Sequence, residues 1–373
     1  MSDQYPTTDI AIVGAGVGGC IAALALVPHF SVTLVDRQQT PAPRVGECLP
    51  PAVQRIFRLL GLMALMDDGK HITSHGMTSY WGSEQPQSFD NLRNPDGLGW
   101  HVDRQQLETD LRQAARERGV SCLWPMTLTD SASKLEHYLL SLTSADQGAI
   151  TLKARVVIDA TGRHSTFARQ RGARRQSLDK LVSCWMTFRS SSTAQTGFIC
   201  PGKEGWWYSA PLPSLPDGTS TTAVGSPRVL SFQTDADLLG QMQIESADSM
   251  LQAAAQLPGL QALLDESASI TRHGVVAATS SRLSICADQR WFAIGDAAMS
   301  LDPLSSQGMF NAMASAMQLS DLLIEKGIDS VDIAPQYIQQ LERIWQQYLH
   351  HKKFFYQQER RWQQADFWYR RTH

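Results

Sequence analysis

A chain of 373 residues, 43% hydrophobic and 18% charged, can bury a sizeable core and is long enough for two lobes. Its net charge of −3 gives no electrostatic case for nucleic acid or an anionic membrane as main partner. No apolar stretch reaches the length of a membrane span, and the polar start Met1-Ser-Asp-Gln-Tyr-Pro runs into the first strand without a signal peptide, so the expected location is cytoplasmic.

Ile10 to Val13 form a short apolar run suited to a buried parallel strand. Gly14, Gly16 and Gly19 follow in G-x-G-x-x-G spacing at the mouth of an alanine- and leucine-rich helix. The first glycine permits a tight turn, the second lets backbone approach a pyrophosphate, and the third lets helix pack on strand, while the helix N-terminus offers N–H groups to phosphate. Val32 to Val35 read as the second strand. It is closed by Asp36, with Arg37 beside it, at the distance where a carboxylate accepts from an adenosine ribose.

The loop Thr40 to Pro51 follows, in which Arg44 and Glu47 place opposite charges near where a flavin ring or substrate could lie; an ordinary ion pair on a rigid connector is the competing account. An amphipathic helix is expected from Val53 to about Met66, and a strand over His71 to Trp81. Asp103 is expected to cap a helix running to about Arg118, with Arg104 in its first turn facing the glycine turn. Cys122 to Leu152 suggest a small antiparallel sheet with turns at Thr127 to Lys134 and Ser144 to Gly148. Ala154 to Asp159 then run into Asp159-Ala-Thr161-Gly162, a second backbone approach to a nucleotide.

From about Leu181 to Ile285 the chain changes character. Runs at Val182 to Arg189, Trp206 to Pro211 and Thr221 to Gly225, with a helix at Ala247 to Leu264, read as a lobe built on an antiparallel sheet. A strand ending in Gly295-Asp296 and a loop through Pro303, Gly308 and Met309 open a long helix to about Glu325. The tail from Ala334 is helical and rich in aromatic residues, which either face the core or form, with its arginines, a docking surface. The expected division is a discontinuous dinucleotide-binding lobe (1–180 and 282–330), a substrate lobe (181–281) and C-terminal helices (331–373). Six scattered cysteines lack C-x-x-C pairs or metal spacing and read as reduced thiols, with no metal site.

Four separated motifs carry a resemblance covering most of the chain: Gly14-x-Gly16-x-x-Gly19 with Asp36; Asp103-Arg104; Asp159-x-Thr161-Gly162-x-x-Ser165-x-x-x-Arg169; and Gly295-Asp296 with Pro303 and Gly308. The sequence resembles the FAD-dependent aromatic monooxygenases of p-hydroxybenzoate hydroxylase fold and the related flavin-dependent halogenases. The resemblance implies a Rossmann-like α/β lobe binding FAD, with an antiparallel-sheet substrate lobe and a helical C-terminus. It also implies that Arg104 contacts the cofactor, that Asp296 binds the ribityl chain, and that Pro303 to Met309 lie against the flavin ring.

The Arg44 to Pro51 loop and Trp206-Trp207-Tyr208-Ser209-Ala210-Pro211 look more like the halogenase branch. Set against that branch, the lysine that carries hypohalous acid in tryptophan halogenases falls near Ser74, and the glutamate of its D-P-L-E-S-T-G loop falls on Ser305. Serine supplies neither charge, so the resemblance implies hydroxylation through a peroxyflavin, with O2 and either NAD(P)H or a separate flavin reductase. The same pattern is similar to flavoproteins that modify a tryptophan during cysteine tryptophylquinone formation, which makes a quinone-oxidase precursor the expected protein partner and Trp206, Trp207 and Tyr208 the candidate substrate-stacking residues. His75 and Glu47 are candidate catalytic groups, with His101 a third. A small-molecule aromatic hydroxylase, a halogenase, a geranylgeranyl-reductase-like enzyme and a catalytically silent flavin-fold protein are the alternatives.

Overall fold

Ile10, Ala11 and Ile12 are wholly buried, as a strand covered on both faces by helices requires. The computed structural model describes residues 5–213, 225–242, 244, 246–264 and 269–372. Its main elements, in chain order, are β1 (Thr7–Val13), α1 (Val17–Leu26), β2 (Val32–Val35), α2 (Arg104–Glu117), β3 (Ser121–Leu123), β4 (Gly148–Asp159), β5 (Leu181–Ser190), β6 (Gly197–Gly202), β7 (Gly205–Pro211), β8 (Ser226–Asp235), β9 (Ser269–Ala277), β10 (Trp291–Ala293), α3 (Gly308–Lys326), α4 (Ile333–Gln358) and α5 (Asp366–Thr372).

The first sheet runs β10-β4-β1-β2-β3 with parallel pairings. Its register sets Val13 opposite both Val35 and Asp159, and Asp159 opposite Ala293. Four strands therefore end level, and the segments after them leave along one edge. Ligands of open α/β sheets bind outside such carboxyl ends. The second sheet runs β9-β5-β8-β7-β6 and continues through short strands at Gly76–Ser79 and Gln87–Asp90. The 76–90 strands, expected in the first lobe, thus extend the second sheet, because Gly197 to Ile199 pair in parallel with Met77 to Ser79.

Several local expectations are corrected by backbone geometry. The helix at Val53 stops at Leu59, and after Gly61 at φ +62° a short helix covers Ala64–Asp67. The Ala247 to Leu264 helix divides at Pro258, whose ring nitrogen has no N–H to continue the ladder. The turn expected at Thr127 to Lys134 is a strand, Thr127–Ser133, whose exposed residues apart from Ala132 are polar. His71 to Trp81 hold two strands in different sheets, parted at His75. Nearly all of the expected Thr221 to Gly225 strand lies outside the described residues.

In the C-terminal region Trp345, Tyr348, Tyr356, Phe367 and Trp368 are buried, whereas Phe354, Phe355 and Tyr369 are exposed. Arg370 and Arg371 pair with Asp235, and Arg370 also with Asp237, so these basic residues of the tail are neutralised within the molecule. No helix among the described residues is long and apolar enough to cross a membrane.

Candidate active site

At the head of the crevice Gly14 takes φ +108°, and a Cβ there would meet the Ala160 carbonyl oxygen at 2.4 Å. A Cβ on Gly19 would lie 1.9 Å from the Gly14 oxygen. Gly16 differs: nothing lies within 4 Å of where its Cβ would be, so its backbone borders open space at the start of α1. Asp36 is more engaged than the sequence suggested. Its carboxylate accepts from the Ala15 and Gln38 backbone N–H groups at 2.7 Å each and pairs with Arg112 at 3.1 Å. Arg112, buried and missed by the sequence reading, also donates to the carbonyls of Ala15 (3.0 Å) and Gln38 (2.9 Å). A carboxylate has about four acceptor sites, which leaves Asp36 some capacity for a ribose. Arg37 is exposed beside it.

Asp159 closes the neighbouring strand end by accepting from Thr161 N (3.0 Å), Thr161 Oγ1 (2.6 Å) and Ala168 N (2.9 Å). Gly162 follows at φ +64° with open space around it. Across the crevice Gly295 at φ +54° passes close to Ala312 on α3 and donates its N–H to Ser315 at 2.9 Å. The Asp296 side chain is 40% exposed yet recessed, 3.7 Å from Arg163. Desolvation in that recess raises its pKa against the pull of Arg163, Arg175 and Arg104. Gly18 on α1 also abuts Ala312, so the N-terminal turns of α1 and α3 lie side by side, and Gly308, like Gly16, faces open space. Met309 is buried next to it.

Asp103 caps α2 by accepting from Gln106 N at 3.0 Å, as its position predicts. Arg104 lies under the 44–47 loop: it donates to Val45 O at 3.2 Å and Glu108 at 2.8 Å, while its Nε is buried without a partner. The Pro303 loop is held from behind by one face of α4. Tyr348 accepts from Asp302 N at 2.9 Å, Lys352 stands 3.4 Å from the Asp302 carboxylate, and Tyr356 donates to it at 3.0 Å. Lys352 also bonds Asp179 (2.5 Å) and Ser280 (2.6 Å), where the chain crosses into and out of the second sheet. The spacing Tyr348, Lys352, Tyr356 puts these groups one turn apart, the only hint of this clamp in the sequence.

Beside the crevice a cleft that opens to solvent lies between the 43–47 loop, the start of α2 and the face of β5, β8 and β9. Glu47 lines it and is 4% exposed, accepting from the Tyr208 hydroxyl at 2.8 Å. Burial raises its pKa, against the lowering effect of the Tyr208 bond. Arg44 bonds Gln38 at 3.2 Å, and among the described contacts it does not pair with Glu47. His75 is exposed at the joint between two strands and is not among the residues lining the cleft. His101 is buried with neither ring nitrogen partnered, and desolvation, helped by Arg228, pushes it down to about 4, so it is neutral at physiological pH.

The expectation that Trp206 and Trp207 offer stacking faces is corrected. Trp206 is buried against Trp81 and bonds Tyr356 at 3.1 Å, and Trp207 stacks on Phe232 with centroids 4.4 Å apart. Both rings are consumed by the core. Of the three, only Tyr208 bonds a residue that lines the cleft, through its hydroxyl to Glu47.

Level strand ends, two helix N-termini side by side, glycines opening onto shared space, a recessed carboxylate and an unpartnered buried guanidinium nitrogen suit an extended dinucleotide carrying a ring system. Fold and crevice define an FAD-dependent oxidoreductase of the aromatic monooxygenase and halogenase-like superfamily. The chain belongs to the family described as the FAD binding domain, which matches residues 7–337, and FAD is its cofactor. Over 371 residues it is 28% identical to an FAD-dependent oxidoreductase, LodB, of Marinomonas mediterranea, covering 97% of this chain and 96% of the relative. Among solved structures it resembles the myxobacterial chondrochloren halogenase CndH, with TM-score 0.87, 18% identity and coverage of 99% of this chain and 86% of that one. It also resembles the peptidyl tryptophan dihydroxylase QhpG, essential for tryptophylquinone cofactor biogenesis, with TM-score 0.75, 21% identity and coverage of 98% and 78%.

Proposed function

We propose that this protein is an FAD-dependent monooxygenase that hydroxylates an electron-rich aromatic ring, a tryptophan side chain of a partner polypeptide on the way to a quinone cofactor. Overall, one ring C–H becomes C–OH while O2 takes two electrons and two protons from NAD(P)H and solvent, directly or through a separate reductase, and releases water. FAD, when bound, carries those electrons to O2. Gly14, Gly16, Gly19 and the α1 N-terminus hold the pyrophosphate, Asp36 and Arg37 the adenosine, and Asp296 the ribityl chain. Arg104, Arg44, Gly295 and the loop through Pro303, Gly308 and Met309 surround the ring system. Of the candidate bases, Glu47 lines the cleft, and its raised pKa suits it to take up the proton a hydroxylated ring releases.

The observation that carries oxygenation over halogenation is Ser305. Its hydroxyl donates to the Asp302 carbonyl at 2.8 Å, and a serine there supplies no carboxylate. Ser74, at the other halogenase position, is buried and supplies no ammonium. The likeness to a peptidyl tryptophan dihydroxylase supports a ring carried on a polypeptide. So does the reach of the cleft wall to Arg272 on β9, an edge strand of the second sheet on which Val275 and Val276 are exposed. The test is to supply the FAD-loaded protein and a reductase with a tryptophan-bearing quinone-oxidase precursor under 18-O2 and to measure its intact mass. Label on the precursor's tryptophan is expected. Label only on free phenols or indoles sinks the polypeptide reading, and a halide-dependent product or a saturated isoprenoid sinks the oxygenase itself.

A further inference from the structure

With Trp206 and Trp207 enclosed, the cleft has one aromatic residue among the described residues that line it: Trp185 on β5. Its cross-strand partner is Gly274 on β9. A Cβ at Gly274 would stand 3.3 Å from both Cζ2 and Nε1 of Trp185 and 3.4 Å from Cε2. Near-equal distances to three ring atoms mean that the indole lies across the glycine rather than pointing at it. Gly274 does not adopt the left-handed φ that favours glycine, so what its missing side chain provides here is room. The Trp185 Nε1 is buried with no hydrogen-bond partner, so the indole does not turn its N–H toward the cleft. Beside it the cleft is lined by Thr187 on the same strand and by Arg272, the residue paired with Thr187 on β9.

We propose that Trp185, laid over Gly274 at the edge of the second sheet, is the platform on which the substrate's aromatic ring stacks. An extended π-face beside a partly polar cleft favours an offset-stacked or edge-on aromatic partner over an aliphatic one of equal size. Gly274 acts as the spacer that sets how far the indole stands into the cleft, and therefore how thick a ring the cleft admits. This rests on the aromatic-substrate part of the reading above, but it concerns binding, not oxygen transfer.

The test titrates N-acetyl-tryptophanamide and its cyclohexylalanine analogue into the FAD-loaded protein by calorimetry, with FAD content and melting temperature confirming that each variant folds. Wild type is expected to prefer the indole, Trp185→Leu to raise its Kd about tenfold, and Trp185→Phe to recover most of the loss. Gly274→Ala, which leaves Trp185 in place but forces its ring toward the cleft, is expected to raise Kd several-fold. Equal Kd for wild type and Trp185→Leu, equal affinity for the cyclohexyl analogue, or no binding by wild type overturns the proposal. Binding that depends on Trp185 without any oxygen incorporation refutes the monooxygenase reading and leaves the platform standing. Oxygen incorporation with Kd unchanged in Trp185→Leu does the reverse.

Discussion

The hydroxyl of Tyr208 donates a 2.8 Å hydrogen bond to Glu47, tying the loop beside the cofactor crevice to the second sheet across 161 positions of sequence. Among the described side-chain hydrogen bonds it is the one that joins the Trp206 to Pro211 strand to a residue lining the cleft.

That link predicts a pH dependence of stability. Burial raises the Glu47 pKa above its ordinary 4.5. Below that value the group is protonated in folded and unfolded chains alike. As pH rises, the unfolded chain ionises first, so stability falls until folded Glu47 has ionised too. Glu47→Gln keeps an acceptor for Tyr208 and removes the loss. Melting temperatures of the two proteins should coincide near pH ~4 and diverge in favour of Glu47→Gln toward pH ~8. Tyr208→Phe removes a bond that lowers the Glu47 pKa and should move the acid limb of the kcat/KM profile to higher pH; an unmoved limb excludes Glu47 as the titrating group.

Two glycines one turn apart should fail in different ways. Gly16→Ala meets no atom within 4 Å and should change Tm by less than ~2 °C while FAD binding is largely lost, because the methyl occupies the phosphate approach. Gly19→Ala would bring a Cβ to 1.9 Å from the Gly14 oxygen and should cost at least about 1–3 kcal/mol in urea unfolding. Equal Tm losses in the two variants would contradict separate roles.

Asp296→Ala should weaken FAD retention by about tenfold or more, the usual scale for losing a charge-assisted acceptor. Asp296→Asn should lose less. Equilibrium dialysis against free FAD measures both, and an Ala variant that holds FAD like wild type would remove Asp296 from the site.

Lys352 is the cation that the buried carboxylate of Asp302 and the partly buried one of Asp179 share, at 3.4 and 2.5 Å. Desolvation alone would lower its pKa, but those carboxylates with Tyr348 outweigh it and raise the value. Lys352→Met leaves buried Asp302 and partly buried Asp179 without their counter-ion and should destabilise the fold by about 3–5 kcal/mol, with Lys352→Arg recovering part of that. Chemical unfolding that finds Lys352→Met within about 1 kcal/mol of wild type would show that the clamp adds little.

Local rules sufficed for the nucleotide-binding end. Strand, glycine turn, helix and second strand occupy Thr7 to Val35 because Gly14 and Gly19 answer steric demands from atoms across one strand pair or within a few residues, and Asp103 caps α2 for an equally local reason. The family resemblance was legible for the same cause, since its motifs are compact. Burial of side chains is another matter. The Trp206 to Pro211 run was legible as a strand, but which of its rings stay open was not: Trp206 and Tyr208 meet partners 150 or more residues away, Tyr356 and Glu47, and Trp207 is covered by Phe232 on the neighbouring strand. The buried clamp of Lys352 on Asp179 and Asp302 and the Trp185 indole over Gly274 likewise exist only because long-range packing brings distant strands and a C-terminal helix together. The sequence by itself determined the fold class and the cofactor; which aromatic ring faces the substrate was decided by tertiary packing, because a ring's availability is a property of what covers it.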